Sequence, residues 1–162
     1  MLDIDEMNAK EIHNLLHRKE YGHLGCSLNG HPYVMPMHYY FEDSDFYLFT
    51  TEGMKTQYIE QNPEVCLQIE DIQSFAHWQS VIVMGRAERL TEQQEFDRAM
   101  ELIKAHNSEL SPAVSRTWVD AWGRGNVIAV YRIHASEMTG RMTDKTVDKA
   151  QSTPSAKLSV DD

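Results

Sequence analysis

The sequence predicts a mainly β domain, an antiparallel barrel with helices at its periphery. Three observations carry that expectation: six β-forming runs are mostly linked by tight turns, helical periodicity falls at the ends and at one crossover, and strands and helices do not alternate. A doubly wound sheet would need that alternation, and neither GxGxxG nor GxxxxGK[ST] occurs. The 162 residues suit one domain, residues 1–141. Residues 142–162 lose all aromatics and are dominated by Lys, Asp, Ser, Thr and Pro, so they read as a flexible tail.

Residues 5–19 read as an amphipathic helix with Met7, Ile12, Leu15 and Leu16 near one face. Tyr21 to Leu28 follows as a strand, and Asn29-Gly30 is a strong hairpin signal because both residues tolerate positive φ. Pro32 to Phe41 is the returning strand. Its Pro36 cannot donate to a ladder, which calls for an edge, a bulge or a place where a ligand replaces the neighbour. Glu42 to Asp45 turns the chain into a third strand, Phe46 to Thr51. Glu52-Gly53 breaks it, and Met54 to Gln61 forms a short helix closed by Asn62-Pro63.

Val65 to Glu70 is a fourth strand and Trp78 to Leu90 a long fifth, with Gly85 as a bulge or bend. Thr91-Glu92-Gln93-Gln94 matches a capping box and opens a helix to about His106, with Phe96, Met100, Leu102 and Ile103 partly buried. Ser111-Pro112 starts a further short helix, on which Trp118 and Trp122 share a face suited to a core or a dimer interface. Val127 to Ile133 is the sixth strand.

Fifteen Lys+Arg against 25 Asp+Glu leave a formal charge of −10, which repels nucleic acid and anionic lipid; neither is an expected partner. No apolar run approaches the roughly 20 residues of a membrane helix. The start, Met1 to Met7, lacks the basic and apolar regions of a signal peptide, and Cys26 and Cys66 form no CxxC. A cytoplasmic protein is expected.

The chemistry concentrates in Phe49-Thr50-Thr51-Glu52-Gly53-Met54-Lys55, where a strand runs into a helix. A first helical turn offers unpaired N–H groups and a positive dipole end, and two hydroxyls, a glycine and a lysine converge on it. Spacing alone leaves two readings: a cradle for a phosphate monoester, or a helix capped by Thr51 with Lys55 in solvent. Gln79 and Ser80 head the β run that follows Trp78, and Val34 to Tyr39 mixes soft apolar side chains with a proline. Together they suit a flat heteroaromatic ligand with a polar edge, although the filling of a barrel interior by Met, Trp and Val accounts better for most of these side chains.

His13 and His17 have the i, i+4 spacing of metal ligands, but no HExxH, cysteine pair or carboxylate cluster accompanies them, and no metal is expected. His134 reads as structural. Arg86 and Arg89 read as surface partners of Glu88 or Glu92.

In order, Tyr21 to Gly25, His31 to Met37, Phe46 to Lys55, Ile59 to Leu67 and Ser80 to Leu90 resemble the pyridoxamine 5′-phosphate oxidase-related FMN-binding split-barrel family, most closely its small nitroimidazole-resistance (Nim-like) flavoproteins. That resemblance implies a six-stranded, mostly antiparallel split barrel of Greek-key type. It places FMN phosphate binding on Lys55 and ring and ribityl contacts on Phe49, Thr50 and Thr51. The strand under the flavin falls on Met35, Pro36, Met37 and His38, and His38 could bond the ring or a substrate, or simply pack. The ribityl-phosphate end is implied to meet Ser80, with Gln79 and Trp78 adjacent, and Arg141 could complete the phosphate site across a homodimer that holds two flavins.

Two departures qualify it. Thr139-Gly140-Arg141-Met142-Thr143-Asp144-Lys145 lacks the histidine with which true pyridoxamine 5′-phosphate oxidases grip substrate, and Phe49 stands at or beside the place of a histidine in Nim-like proteins. The implied function is an FMN-dependent oxidoreductase acting on a small substrate, with NAD(P)H as a possible electron donor. A non-catalytic flavin- or haem-binding barrel and a deazaflavin in place of FMN are the alternatives.

Overall fold

The computed structural model describes residues 2–106 and 128–143. Among them, eight strands form one antiparallel sheet with three helices around it. In chain order these are β1 (Ile4–Glu6), α1 (Ala9–Arg18), β2 (Tyr21–Leu28), β3 (His31–His38), β4 (Tyr40–Glu42), β5 (Asp45–Thr51), α2 (Met54–Gln61), β6 (Glu64–Ser74), β7 (His77–Arg89), α3 (Gln93–His106) and β8 (Ile128–Thr143). The strand order is β3-β2-β6-β7-β8-β5-β4, with β1 added beside the end of β8. The sheet does not close: β3 comes within 8 Å of β5 (Cα–Cα) without pairing to it, and a seam remains.

The turn signals act as expected. Asn29 and Gly30 have φ of 50° and 77°, the left-handed pair of a tight hairpin, and β2 and β3 pair from Leu28 with His31 to Tyr21 with His38. Pro36 lies on the edge strand, where a missing N–H leaves no neighbour unsatisfied. The expected single strand over 32–41 is instead two. Tyr39 turns into the core between them, fully buried, and its hydroxyl donates to Leu16 O at 2.8 Å. β4 then pairs with β5.

The first helix starts later than expected. Asn8 caps it through a reciprocal bond with Glu11, each at 2.9 Å, and Ile12, Leu15 and Leu16 are buried. Ahead of it, Ile4 to Glu6 pair with Thr143 to Arg141 as a strand the sequence did not announce. β8 likewise runs past the expected end at Ile133, so Met142 and Thr143, both buried, belong to the sheet and not to a tail. Residues 144–162, Val127, and the expected helix carrying Trp118 and Trp122 lie outside the described residues.

A bulge does occur at Gly85, but its extra residue is on the partner strand. Met84 pairs with Glu137 and Gly85 with Ala135, which leaves Ser136 over, its hydroxyl donating to Met84 O at 3.0 Å. A Cβ on Gly85 would stand 2.6 Å from His134 O. Gly85→Ala is therefore expected to cost about 1–3 kcal/mol in urea unfolding. An unchanged midpoint would show that β8 gives way freely.

The main core lies inside the curved sheet and under α1. A second cluster sets Met100 and Ile103 of α3 against Tyr47 and Val130. β5 is thus covered on both faces, and this is why Phe46-Tyr47-Leu48 is an unbroken buried run. That clamping fixes the end of β5 where it meets α2.

Candidate functional site

Where β5 runs into α2 it faces the end of β3 across the seam. Seven residues line a cleft of about 190 Å³ there: Pro36, Met37 and His38 from β3, Phe49, Thr50 and Thr51 from β5, and Lys55 from α2. The turn between β5 and α2 is held by Thr56, which is fully buried and accepts from the Gly53 N–H at 2.9 Å. Thr51 does not cap the helix, so its side chain is left for the cleft. Thr50 is buried as well, its hydroxyl 3.3 Å from Thr51 O.

Lys55 is half-buried, and no carboxylate among the described residues pairs with its ammonium group. Burial alone pushes its pKa below the ordinary lysine value. The acids closest in sequence are engaged elsewhere: Arg89 makes ion pairs with both Glu52 and Glu60. Arg89 does not pair with Glu88 or Glu92 as its sequence neighbours suggest. Glu88 binds Arg132 at 2.8 Å, and Arg86 binds Glu64 at 2.9 Å.

Of the other candidate residues, Met35 is buried in the core beside the seam cleft. Trp78, Ser80 and Arg141 line a separate cleft of about 600 Å³ on the outward face of β7 and β8, where Ser80 and Arg141 stand opposite each other. Gln79 alternates to the other side of β7. It accepts from Arg18 at 3.0 Å in a polar hollow of about 320 Å³ that also holds Asp71.

A row of side chains the sequence did not single out links the two clefts. His38 meets Tyr21 edge-on (5.6 Å between ring centres), Tyr21 meets His23 (5.5 Å), His23 Nδ1 lies 3.2 Å from Gln68 Oε1, and Gln68 donates to Ser80 Oγ at 3.3 Å. The one signal for it was the alternation of Tyr21 and His23 on β2, which sends both side chains to one face.

His13 and His17 pack against Phe41, and His134 contacts Asp45 at 2.7 Å. Among the described residues no three His, Cys, Asp or Glu side chains gather as a metal site would need. Cys26 and Cys66 are free thiols, and burial raises the pKa of Cys26. No helix among the described residues is long and apolar enough to cross a membrane.

A family model described as pyridoxamine 5′-phosphate oxidase matches residues 8–142. The chain belongs to that family. A curated relative in Rhizobium meliloti, an uncharacterised protein, is 26% identical over 139 residues, which cover 83% of this chain and 92% of the relative. The crystal structure of a FAD-binding protein from Mesorhizobium loti superposes with a TM-score of 0.71 at 25% identity, covering 90% of this chain and all of that one. A candidate 5-nitroimidazole antibiotic resistance protein from Bacteroides thetaiotaomicron gives a TM-score of 0.66 at 19% identity, over 88% and 91% of the two chains. The open antiparallel sheet is the split-barrel fold of these neighbours.

In this member of the pyridoxamine 5′-phosphate oxidase family, the seam cleft has the chemistry for a flat anionic ligand. Lys55 supplies a cation that no carboxylate among the described residues pairs with, Thr50 and Thr51 supply hydroxyls, and Met37 and Phe49 supply apolar and aromatic walls.

Proposed function

We propose that this chain is an FMN-dependent oxidoreductase, with the FMN phosphate held by Lys55. One observation carries the reading above all: a half-buried cation, unpaired among the described residues of a chain of net charge −10, opens onto the same cleft as Phe49, Thr50, Thr51 and Pro36 to His38. An acidic protein that leaves one lysine in that state has an anion-binding point set against its overall field. The resemblance of the FAD-binding Mesorhizobium protein supports a flavin as the ligand.

The redox chemistry would come from the bound flavin. The chain's own residues bind and orient: Lys55 anchors the phosphate, Thr50 and Thr51 offer hydroxyls along the ribityl chain, and Phe49 and Met37 exclude water from the ring. His38, which also lines the cleft, would bond the ring edge or a small substrate. A reduced nicotinamide is the proposed electron donor.

A homodimer belongs to the same proposal. Trp78, Ser80 and Arg141 lie on an outward sheet face that also exposes Ile82 and Met84, at 47% and 46%. A second copy seated there would cover this apolar surface and bring Arg141 and Ser80 to the partner's seam cleft.

The test is a titration of FMN into flavin-free protein. Quenching of flavin fluorescence is expected, and its absence would end the proposal. Mass analysis of flavin released from freshly purified protein separates FMN from FAD and from a deazaflavin. A yellow protein that never oxidises NADH or NADPH with any acceptor would point to storage or sensing instead.

A further inference from the structure

Arg89 closes β7 with its side chain only 27% exposed, and both of its ion-pair partners belong to the segment that carries Lys55. Glu52 lies one residue ahead of the N-cap Gly53, Met54 opens α2, and Glu60 lies near its far end. The guanidinium uses one nitrogen on each carboxylate, and its Nη1 reaches Glu60 at 2.6 Å. Glu52 is also held from α2 itself, where Thr56 Oγ1 lies 2.9 Å from its second oxygen. Behind the fork sits the enclosed ring of Tyr131. Tyr131 pairs with Arg89 across the sheet, and its hydroxyl's pKa is pushed up to about 12, chiefly by burial, with the nearby guanidinium acting the other way.

The two grips have different consequences. Glu60 ties α2 to the end of β7. Glu52 lies outside α2 with only Gly53 and Met54 between it and Lys55, so a carboxylate released from Arg89 is the acid nearest in the chain to the ammonium group from the N-terminal side. Held by Arg89 and Thr56, it stays out of the lining of the seam cleft. The commonest fate of a lysine among so many acids is an ion pair, and here that partner is already engaged.

We infer that Arg89 is a positioning residue for the phosphate site: it draws Glu52 away from Lys55 and leaves the ammonium group free for an anion. The inference rests on the phosphate reading of Lys55, and it adds a residue that never touches the ligand. Without Arg89, Glu52 becomes an internal competitor for the phosphate.

The experiment compares FMN with riboflavin, which lacks the phosphate, by fluorescence quenching. Arg89→Gln is expected to weaken FMN about five- to tenfold and leave riboflavin unchanged. Adding Glu52→Gln to that variant should restore FMN to within about twofold. In flavin-free protein, a 13C NMR titration of lysine should show the Lys55 pKa rising in Arg89→Gln and falling back in the double variant. Unchanged FMN binding in Arg89→Gln would overturn the inference, as would an equal loss of FMN and riboflavin that Glu52→Gln does not rescue. Should Arg89→Gln fail to fold, Arg89→Lys keeps the charge but not the fork; it should bind FMN with intermediate affinity, and wild-type affinity would count against the inference. If Lys55→Ala binds FMN as the wild type does, the phosphate reading is what fails, and the lysine titration still judges the hold of Arg89 on Glu52.

Discussion

Lys55→Ala is expected to weaken FMN binding roughly 10- to 100-fold while riboflavin binding stays within about twofold. The substitution removes a charge-assisted contact of about 1.5–3 kcal/mol, and each 1.4 kcal/mol is tenfold in affinity. It leaves no cavity, because the side chain is only half-buried and lines a cleft. The fold should gain slightly if anything, since burial without a partner disfavours the charged lysine in the free protein. The sign of the pH dependence follows. Folding lowers the Lys55 pKa, so the unfolded chain binds more protons in the window just below the ordinary lysine value, and the stability of the flavin-free protein rises with pH there. Phosphate favours the ammonium form and binds with proton uptake. FMN affinity should therefore fall as pH climbs into that same window, and fall again below about pH 6 as the phosphate takes a proton. Isothermal titration in two buffers of different ionisation heat reads the proton uptake directly. Equal retention of FMN in Lys55→Ala, at every pH, would remove Lys55 from the site.

Much of this site was legible because it is local in sequence. Residues 36–38 and 49–55 each occupy one strand end or one strand-helix corner. Asn29-Gly30, Glu52-Gly53 and Asn62-Pro63 punctuate the chain so clearly that β2 and α2 have the expected bounds. What the sequence concealed depends on distant partners. Ile4 to Glu6 is too short to show alternation and is a strand only because the end of β8 lies beside it. β8 was expected to stop at Ile133 because the outward positions that follow, Glu137, Thr139 and Arg141, are polar and the bulge at Ser136 breaks the period of two. The break at Tyr39 is decided by a bond to α1. The row from His38 to Ser80 needs the pairing of β3, β2, β6 and β7 to exist at all. Arg89 was assigned to acids beside it in sequence, and tertiary packing supplied Glu52 and Glu60 in their place.

On the proposed two-fold arrangement, Ile82→Glu is expected to raise the dimer dissociation constant by roughly a hundredfold or more and to release FMN with it. Ile82 is nearly half exposed in one protomer, while its neighbours Val81 and Val83 are fully buried in the core. A carboxylate at 82 is therefore harmless to the isolated fold but sits unpaired where a second copy would bury it, at a cost of about 3–5 kcal/mol. Circular dichroism should be unchanged, and sedimentation should show the smaller species. Flavin loss is the informative half of the result. Within one protomer the seam cleft and the cleft of Trp78, Ser80 and Arg141 are separate, so an FMN that needs both must cross between copies. A variant that turns monomeric yet holds FMN with wild-type affinity would confine the binding site to the seam cleft alone. A variant that stays dimeric would move the interface off the β7–β8 face, and Arg141 would lose its place in the site.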